Sequence, residues 1–377
     1  MIILPNTQLL DDVKKISRID RGGMLNICLK TDGITADAIK LAREAKFPRD
    51  YTKCERIVVL GMGGSSIGGE LLRDWLLEKS PIPIETCNDY ELPAYINEDS
   101  LVFAISYSGE TEETLTAFIE AYKRKCKIFA ITSGGHLKAF CERLNVPFLA
   151  IPKGFAPRAA LPYMFFPMAI FAEKMGLVKG IEKDLEETVR IIKEISEEND
   201  IKKPFKENST KKMAFELYGT IPAIYGFRHY SSVAHRWKTQ LNENSKVACK
   251  YEVFPELNHN EVVGWEASEK TAKQFSIVLL RDSDEPEEIK IRIETAKTMA
   301  FKNVGKILEV KAKGKSKLAK MFSLLHFGDL VSIYLAILNE KDPTPVKMIS
   351  AMKAELRRKL RTIEKLELEV EKLSIKS

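Results

Sequence analysis

Two turns rich in glycine and serine carry groups suited to holding an anion. Residues 61–69 read GMGGSSIGG, directly after the apolar run IVVLG (57–61) and before the helix-period stretch IGGELLRDWLLEK. Glycines there let the backbone approach a ligand closely, and the start of the following helix offers N–H groups with no intrahelical partner. Gly63, Gly64 and Ser65 are the candidate contacts. The second turn, Ser106-Tyr107-Ser108-Gly109-Glu110-Thr111, follows LVFAIS (101–106) and precedes another helix-period stretch. Hydroxyls of Ser106, Ser108 and Thr111 converge on one helix start, which suits a phosphate held by hydroxyls instead of a P-loop lysine. No GxxxxGK(S/T) stretch occurs in the chain. The plainer reading is helix capping by Ser108 or Thr111. Two such turns at the carboxyl ends of parallel strands favour a ligand, because open α/β sheets bind ligands at that edge. A dinucleotide fingerprint fits less well: Ser66 stands at the third glycine position, and the acids Glu85 and Asp89 are only roughly placed.

Groups able to move protons lie further along. Glu243, in Asn242-Glu243-Asn244, and His259, in Asn258-His259-Asn260-Glu261, fall outside any clean amphipathic pattern. Carboxylate and imidazole are the side chains suited to general acid–base work. On the residues alone, a solvated loop is the commoner setting for both. Likewise Lys353 reads as a solvated charge on a basic helix, and Arg158 as a loop arginine after Pro157. His229 and His235 are six apart, which does not put two ligands on one helical face, while His136 and His326 stand alone. No metal site and no cofactor is legible.

The elements that must position these groups form a repeating pattern. Short apolar runs IVVLG, LVFAIS, KIFAITS (127–133) and VPFLAIP (146–152) alternate with helix-period segments, the pattern of a parallel sheet covered by helices. AALPYMFFPMAIFAEKMG and KDLEETVRIIKEISEEND close this half as helices, and the charged stretch near 195–212 is the boundary candidate. The alternation restarts with PAIYGF (222–227), VACKYEVF (247–254), FSIVLL (275–280) and KILEVKA (306–312), so the second half reads as a diverged copy without the Gly-rich turn. The last two dozen residues read as one amphipathic helix with Leu356, Leu360, Ile363, Leu366, Val370 and Leu373 on a stripe that packs on the body or on a partner subunit.

Composition narrows the class. The chain has 377 residues, enough for two domains, and 45% hydrophobic with 30% charged residues is ordinary for a packed protein and excludes a disordered or collagen-like one. A net charge of +6 is the small difference of 59 basic and 53 acidic residues, so it does not separate an anionic metabolite from nucleic acid. Six scattered cysteines form no CxxC pair and read as reduced, mostly buried thiols. The start, MIILPNTQLLDDVKK, lacks a basic segment and a long apolar run, and no apolar stretch approaches a membrane span, AALPYMFFPMAIFA being broken by two prolines. The expectation is a soluble, cytoplasmic protein that spans no membrane.

VVLGMGGSSIGGELL and FAISYSGETEETL resemble the sugar-isomerase (SIS) domain. PRAALPY (157–163), QLNENSK (240–246), FPELNHNEVVGWE (254–266) and DPTPVKMISAMK (342–353) narrow the resemblance to the bifunctional phosphoglucose/phosphomannose isomerases. It implies two doubly wound α/β domains of SIS type, with residues 1–200 as the first, 201–353 as the second, and 354–377 as a helical extension. It also implies an aldose–ketose isomerase acting on glucose 6-phosphate and mannose 6-phosphate through an enediolate, without cofactor or metal, as a homodimer that binds no nucleic acid. By the same resemblance Glu243 is the base at C2 and C1, His259 aids ring opening, Lys353 handles a third proton, and Arg158 faces the enediolate. Gly63, Gly64, Ser65, Ser106, Ser108 and Thr111 would contact the substrate. Two positions depart from the pattern, Ser66 in place of glycine and Glu110 in place of a residue such as Asn, and the tail beyond Lys353 is long. Strict phosphoglucose isomerase activity and a non-catalytic phosphosugar-binding regulator are the alternatives, and the presence of Glu243, His259 and Lys353 together argues against the regulator.

Overall fold

The computed structural model describes residues 7–266 and 268–375. The reading of the N-terminal stretch rests partly on residues 1–6, outside the described residues. The chain divides into two compact units, one of Ile34–Ile181 with Val346–Ser377, the other of Met1–Gly33 with Glu182–Pro345.

In the unit that begins at Ile34, strands β1 (Arg56–Leu60), β2 (Ile84–Cys87), β3 (Ser100–Ile105), β4 (Lys127–Thr132) and β5 (Phe148–Ala150) form a parallel sheet in the order β2-β1-β3-β4-β5. Near-continuous apolar runs make these strands because both sheet faces are covered; every residue of β3 is buried. β2, IETC, escapes such a reading, since its two central residues are polar and half-buried at the sheet edge. Helices α1 (Ile67–Leu76), α2 (Glu112–Lys123), α3 (Gly135–Arg143) and α4 (Leu161–Lys174) cover the sheet. Gly69 lets α1 settle against β1 and β2: a Cβ there would lie 2.7 Å from Val59 Cβ and 2.9 Å from Thr86 Cγ2. The prolines do not break α4. Pro162 lies in the first turn, where the missing N–H has no intrahelical acceptor, and Pro167 is accommodated in a helix buried from Leu161 to Ala172.

The other unit winds the same way. Strands β6 (Ile221–Phe227), β7 (Lys250–Phe254), β8 (Phe275–Arg281) and β9 (Lys306–Lys311) are parallel in the order β7-β6-β8-β9, which is the order of the first sheet without its fifth strand. Helix α5 (Glu182–Glu198) belongs here and not to the preceding unit, because its apolar stripe packs on the long central helix α7 (Lys317–Leu338); α6 (Ser231–Gln240) packs on α7 as well. The charged stretch 195–212 therefore lies inside this unit, tied there by Lys211, which donates to the Ile201 and Lys203 carbonyls. α7 also corrects the reading of apolar runs. It is long and apolar enough to cross a membrane by composition, yet 94% of its apolar window is buried inside the unit as a core helix.

The chain then returns to the first unit with α8 (Lys347–Leu360) and α9 (Thr362–Ser374). The tail is two helices, not one, broken at Arg361, which takes φ 50°. Ile363, Leu366 and Val370 of α9 are buried against α2 and α3, whereas Leu356 and Leu360 of α8 remain exposed. All six cysteines are free thiols, four of them buried.

Candidate active site

The order β2-β1-β3 reverses direction between β1 and β3, so the crevice at their carboxyl ends is the topological switch point where open α/β sheets hold ligands. Both Gly/Ser turns lie there. The Tyr107 N–H donates to Ser65 Oγ at 3.3 Å, which fastens one turn to the other. Ser106 is fully buried; its hydroxyl donates to Thr111 Oγ1 (3.0 Å) and accepts from the Gly109 N–H (3.1 Å). Gly109 takes φ +72°, and a Cβ there would fall 1.9 Å from the Gly134 carbonyl, so only glycine closes this turn. Ser108 is exposed and accepts from the Glu110 N–H at 3.2 Å. Thr111 is the N-cap residue of α2 but makes no capping bond through its side chain. The hydroxyls thus order the turn itself, and the first N–H groups of α2 are not taken by Thr111.

A third segment joins these two. The Tyr107 hydroxyl donates to the Pro152 carbonyl (3.0 Å) and accepts from the Phe155 N–H (2.9 Å), fixing the loop that leads to Arg158. Burial pushes the Tyr107 phenol above its ordinary pKa, so it stays a neutral donor. Gly64 allows that loop its approach, since a Cβ on it would stand 3.0 Å from Arg158 N. Arg158 is buried. Gly63, at φ +52°, turns the chain out of β1 ahead of the buried Ser65. This unit therefore brings together Gly63, Gly64, Ser65, Ser106, Ser108, Thr111 and Arg158.

The two departures in these turns have structural partners. Ser66 is buried and donates to Asn88 Oδ1 at 2.8 Å, a use that glycine could not supply. Glu85, one of the acids a dinucleotide site would need, is engaged by the Tyr95 hydroxyl. The Glu110 carboxylate accepts from the His136 N–H (3.1 Å) and lies 2.8 and 2.9 Å from His136 Nδ1. His136 therefore does not stand alone, as its spacing in the sequence implied; its Nε2 also faces Glu367 at 3.3 Å. Lys353, on the exposed face of α8, lines a cavity of about 310 Å³ with Thr111, Glu110, Tyr90 and Arg357.

Glu243 and His259 lie in the other unit on separate elements. Glu243 is half-buried in a π-helical turn, Leu241–Ser245, that prolongs α6. Such turns recur at functional sites because they displace one side chain from helical register. This one is clamped on both sides of the glutamate. Asn244, fully buried, donates to Ser332 Oγ (2.9 Å), the Ser245 hydroxyl donates to the Ser332 carbonyl (2.5 Å), and Asn242 Nδ2 donates to the Val247 carbonyl (2.8 Å). Beneath it the buried Arg236–Asp329 pair (2.7 Å) and the Gln240–Asp329 bond (2.9 Å) hold α6 to α7. His259 is exposed at the end of the turn Glu256–His259 that follows β7. Leu257 buries one side of that turn; on the other, Glu261 is gripped by the Tyr225 hydroxyl (2.5 Å) and Lys250 (2.6 Å). Burial and Glu261 both push the Tyr225 phenol upward, so it acts as a donor.

The remaining histidines pack in the fold, His229 against Phe227 and Tyr230. His235 stacks on Tyr251 (4.7 Å), and His326 is fully buried, bonds Ser196 Oγ through Nε2 (2.8 Å), and is held down to a pKa of about 3 by burial. Sequence reasoning did not find the clamp residues Asn244, Ser332 and Asp329 or the Glu110 partners. Their separations, 88 residues for Asn244 and Ser332, carry no local signal.

Comparison with known proteins places this geometry. Residues 50–139 match the SIS domain, and residues 206–356 match the bacterial phospho-glucose isomerase C-terminal SIS domain. The chain is 42% identical over 303 residues to the bifunctional phosphoglucose/phosphomannose isomerase of Caldicellulosiruptor bescii, covering 80% of this chain and 89% of that one. It is 38% identical to the protein of the same name from Aquifex aeolicus, over 82% of this chain and 93% of that one. In fold it is similar to the crystal structure of a hypothetical protein from Thermus thermophilus, with TM-score 0.72 at 17% identity, covering 94% of this chain and 95% of the other.

Proposed function

The chain belongs to the bifunctional phosphoglucose/phosphomannose isomerase family, an aldose–ketose isomerase of sugar phosphates, and from that premise we propose how its residues divide the reaction. Ser106, Ser108, Thr111, Gly63, Gly64 and Ser65 receive the phosphate and sugar. The observation that carries this reading is the bond from Tyr107 N–H to Ser65 Oγ, which makes the two turns one ordered edge at the β1/β3 switch point. Hydroxyls and helix N–H groups there match a phosphate's acceptor oxygens.

Isomerisation opens the sugar ring, removes the proton from C2 and returns it to C1. Glu243 is the base that carries that proton, His259 assists ring opening, and Lys353 moves the proton at the oxygens that change between hydroxyl and carbonyl. Arg158 offsets the charge that develops on the enediolate, a role suited to a buried guanidinium with a fixed backbone. Glucose and mannose 6-phosphates differ only in configuration at C2, the carbon that loses its proton, so one base serves both when the substrate rotates about its C2–C3 bond. The clamp around Asn244 supports Glu243 in this part, because it fixes the backbone on both sides of a side chain left half-buried.

The chain acts as a cytoplasmic homodimer in this reading. Exposure of Met348, Ile349 and Met352 along α8 is consistent with a second copy covering that helix. The experiment is an assay of purified protein with glucose 6-phosphate and mannose 6-phosphate, each with and without a chelator. Turnover of both, insensitive to chelation, is expected; turnover of glucose 6-phosphate alone would restrict the specificity, and loss restored by zinc would refute the metal-free chemistry.

A further inference from the structure

Helix α8 has a feature at odds with an assigned catalytic residue: none of its residues is buried. A 14-residue helix without a packed face in its own chain is marginal in water, so within one subunit a neighbouring element must hold Lys353 in place. Within its unit α8 faces the α2 N-terminus across the cavity of about 310 Å³ that Lys353 and Arg357 line with Glu110 and Thr111. Its polar tie is Arg357 Nη1 to Glu110 Oε2, at 4.0 Å. The next element is different. Beyond the elbow at Arg361, α9 buries Ile363, Leu366 and Val370 in the core shared with α2 and α3. Two polar contacts flank that seam, an ion pair of Lys123 of α2 with Glu369, and His136 Nε2 of α3 facing Glu367 at 3.3 Å. Glu110 stands between the two systems, held by His136 from one side and facing Arg357 on the other. The matched C-terminal SIS domain ends at residue 356, so Arg357 and all of α9 lie beyond it.

We propose that α9 is a fastener: by docking on α2 and α3 it fixes α8, through the Arg361 elbow and the Arg357–Glu110–His136 chain, and so positions Lys353 beside the α2 N-terminus. The inference rests on the reading of Lys353 as a proton-handling group. Ile363, Leu366, Val370 and Arg357 are positioning residues and touch no substrate. The hydroxyl bonds that shape the turn, Ser106 with Thr111 and Gly109 and Ser108 with Glu110, do not involve α9. Loosening α9 should therefore lower kcat and leave KM nearly alone.

The test uses the full chain with Val370→Asp, Leu366→Ala, Val370→Ile and Lys353→Met, measured by steady-state kinetics and by amide hydrogen exchange of residues 347–360. Val370→Asp should speed exchange in that segment and lower kcat about 10-fold or more, with KM within about 3-fold, because general acid–base groups contribute about 10²–10⁴ to rate and misplacement forfeits part of it. Val370→Ile should behave as the parent. Should Val370→Asp not fold, Leu366→Ala carries the test with a smaller change of the same sign. Faster exchange with unchanged kcat, or unchanged exchange in a folded Val370→Asp, would overturn the fastener. Lys353→Met separates the two ideas: parental kcat there would remove the lysine's catalytic role, whatever the α9 variants do.

Discussion

Replacing Asn244 by alanine tests whether the π-helical turn is a positioning device. Asn244 is fully buried and donates to Ser332 Oγ at 2.9 Å. Alanine removes that bond, strips Ser332 of a donor, and leaves a small void. A lost buried hydrogen bond costs about 1 kcal/mol and an unsatisfied partner about 1–3, so the expected loss is about 2–4 kcal/mol. For a unit of this size that lowers Tm by roughly 4–16 °C. The Glu243 backbone is then held on one side by Asn242 and on the other by Ser245 alone. Misplacement of a catalytic group by about 1 Å costs up to about 100-fold, so kcat should fall about 10- to 100-fold well below the melting range. Thermal denaturation and initial rates at one low temperature measure both. A stability loss without a rate loss would show that the clamp does not position Glu243. A rate loss without a stability loss would show Asn244 acting on substrate directly.

Ser106→Ala with Ser108→Ala should raise KM about 10²- to 10⁴-fold, because hydrogen bonds to a charged group are worth about 1.5–3 kcal/mol each; an unchanged KM would mean the phosphate binds elsewhere. Gly64→Ala should lower kcat/KM about 10-fold by pushing the Arg158 backbone, which a new Cβ would meet at 3.0 Å, and parental kinetics would show that this approach is not needed. His326 gives a pH dependence. Its folded pKa of about 3 lies below the ordinary 6.5, so the unfolded chain binds a proton that the folded chain refuses. Stability is then full above pH 6.5 and falls as pH drops toward 3, by up to about 1.4 kcal/mol per pH unit. His326→Gln should flatten that slope in denaturant titrations at about pH 4.5 and about pH 7.5, and an unaltered slope would assign it to other groups.

Much of this fold was legible because buried parallel strands such as β1, β3, β4, β6 and β8 are near-continuous apolar runs. β2 was not, being short, partly polar and at the edge. α7 hid its length behind Lys320, His326 and Asp329, polar residues that make sense only once Asp282, Ser196 and Arg236 are seen to meet them. Charge marks solvent in a sequence, yet the charged stretch 195–212 includes Lys211, which is fully buried and satisfied by carbonyls. In the candidate site, the turns and the polar runs around Glu243 and His259 were visible as local patterns. What fixes them was not, since Tyr225 meets Glu261 and Glu110 meets His136 only through the tertiary fold.

The central claim is that Glu243 carries the proton between C2 and C1. Glu243→Gln keeps the shape of the side chain and removes its basicity. In deuterated water the parent enzyme should wash deuterium into C2 of glucose 6-phosphate. The variant should lose that exchange by about 10²- to 10⁴-fold while still binding the sugar phosphate. Exchange at the parental rate in Glu243→Gln would contradict the assignment and with it the proposed mechanism.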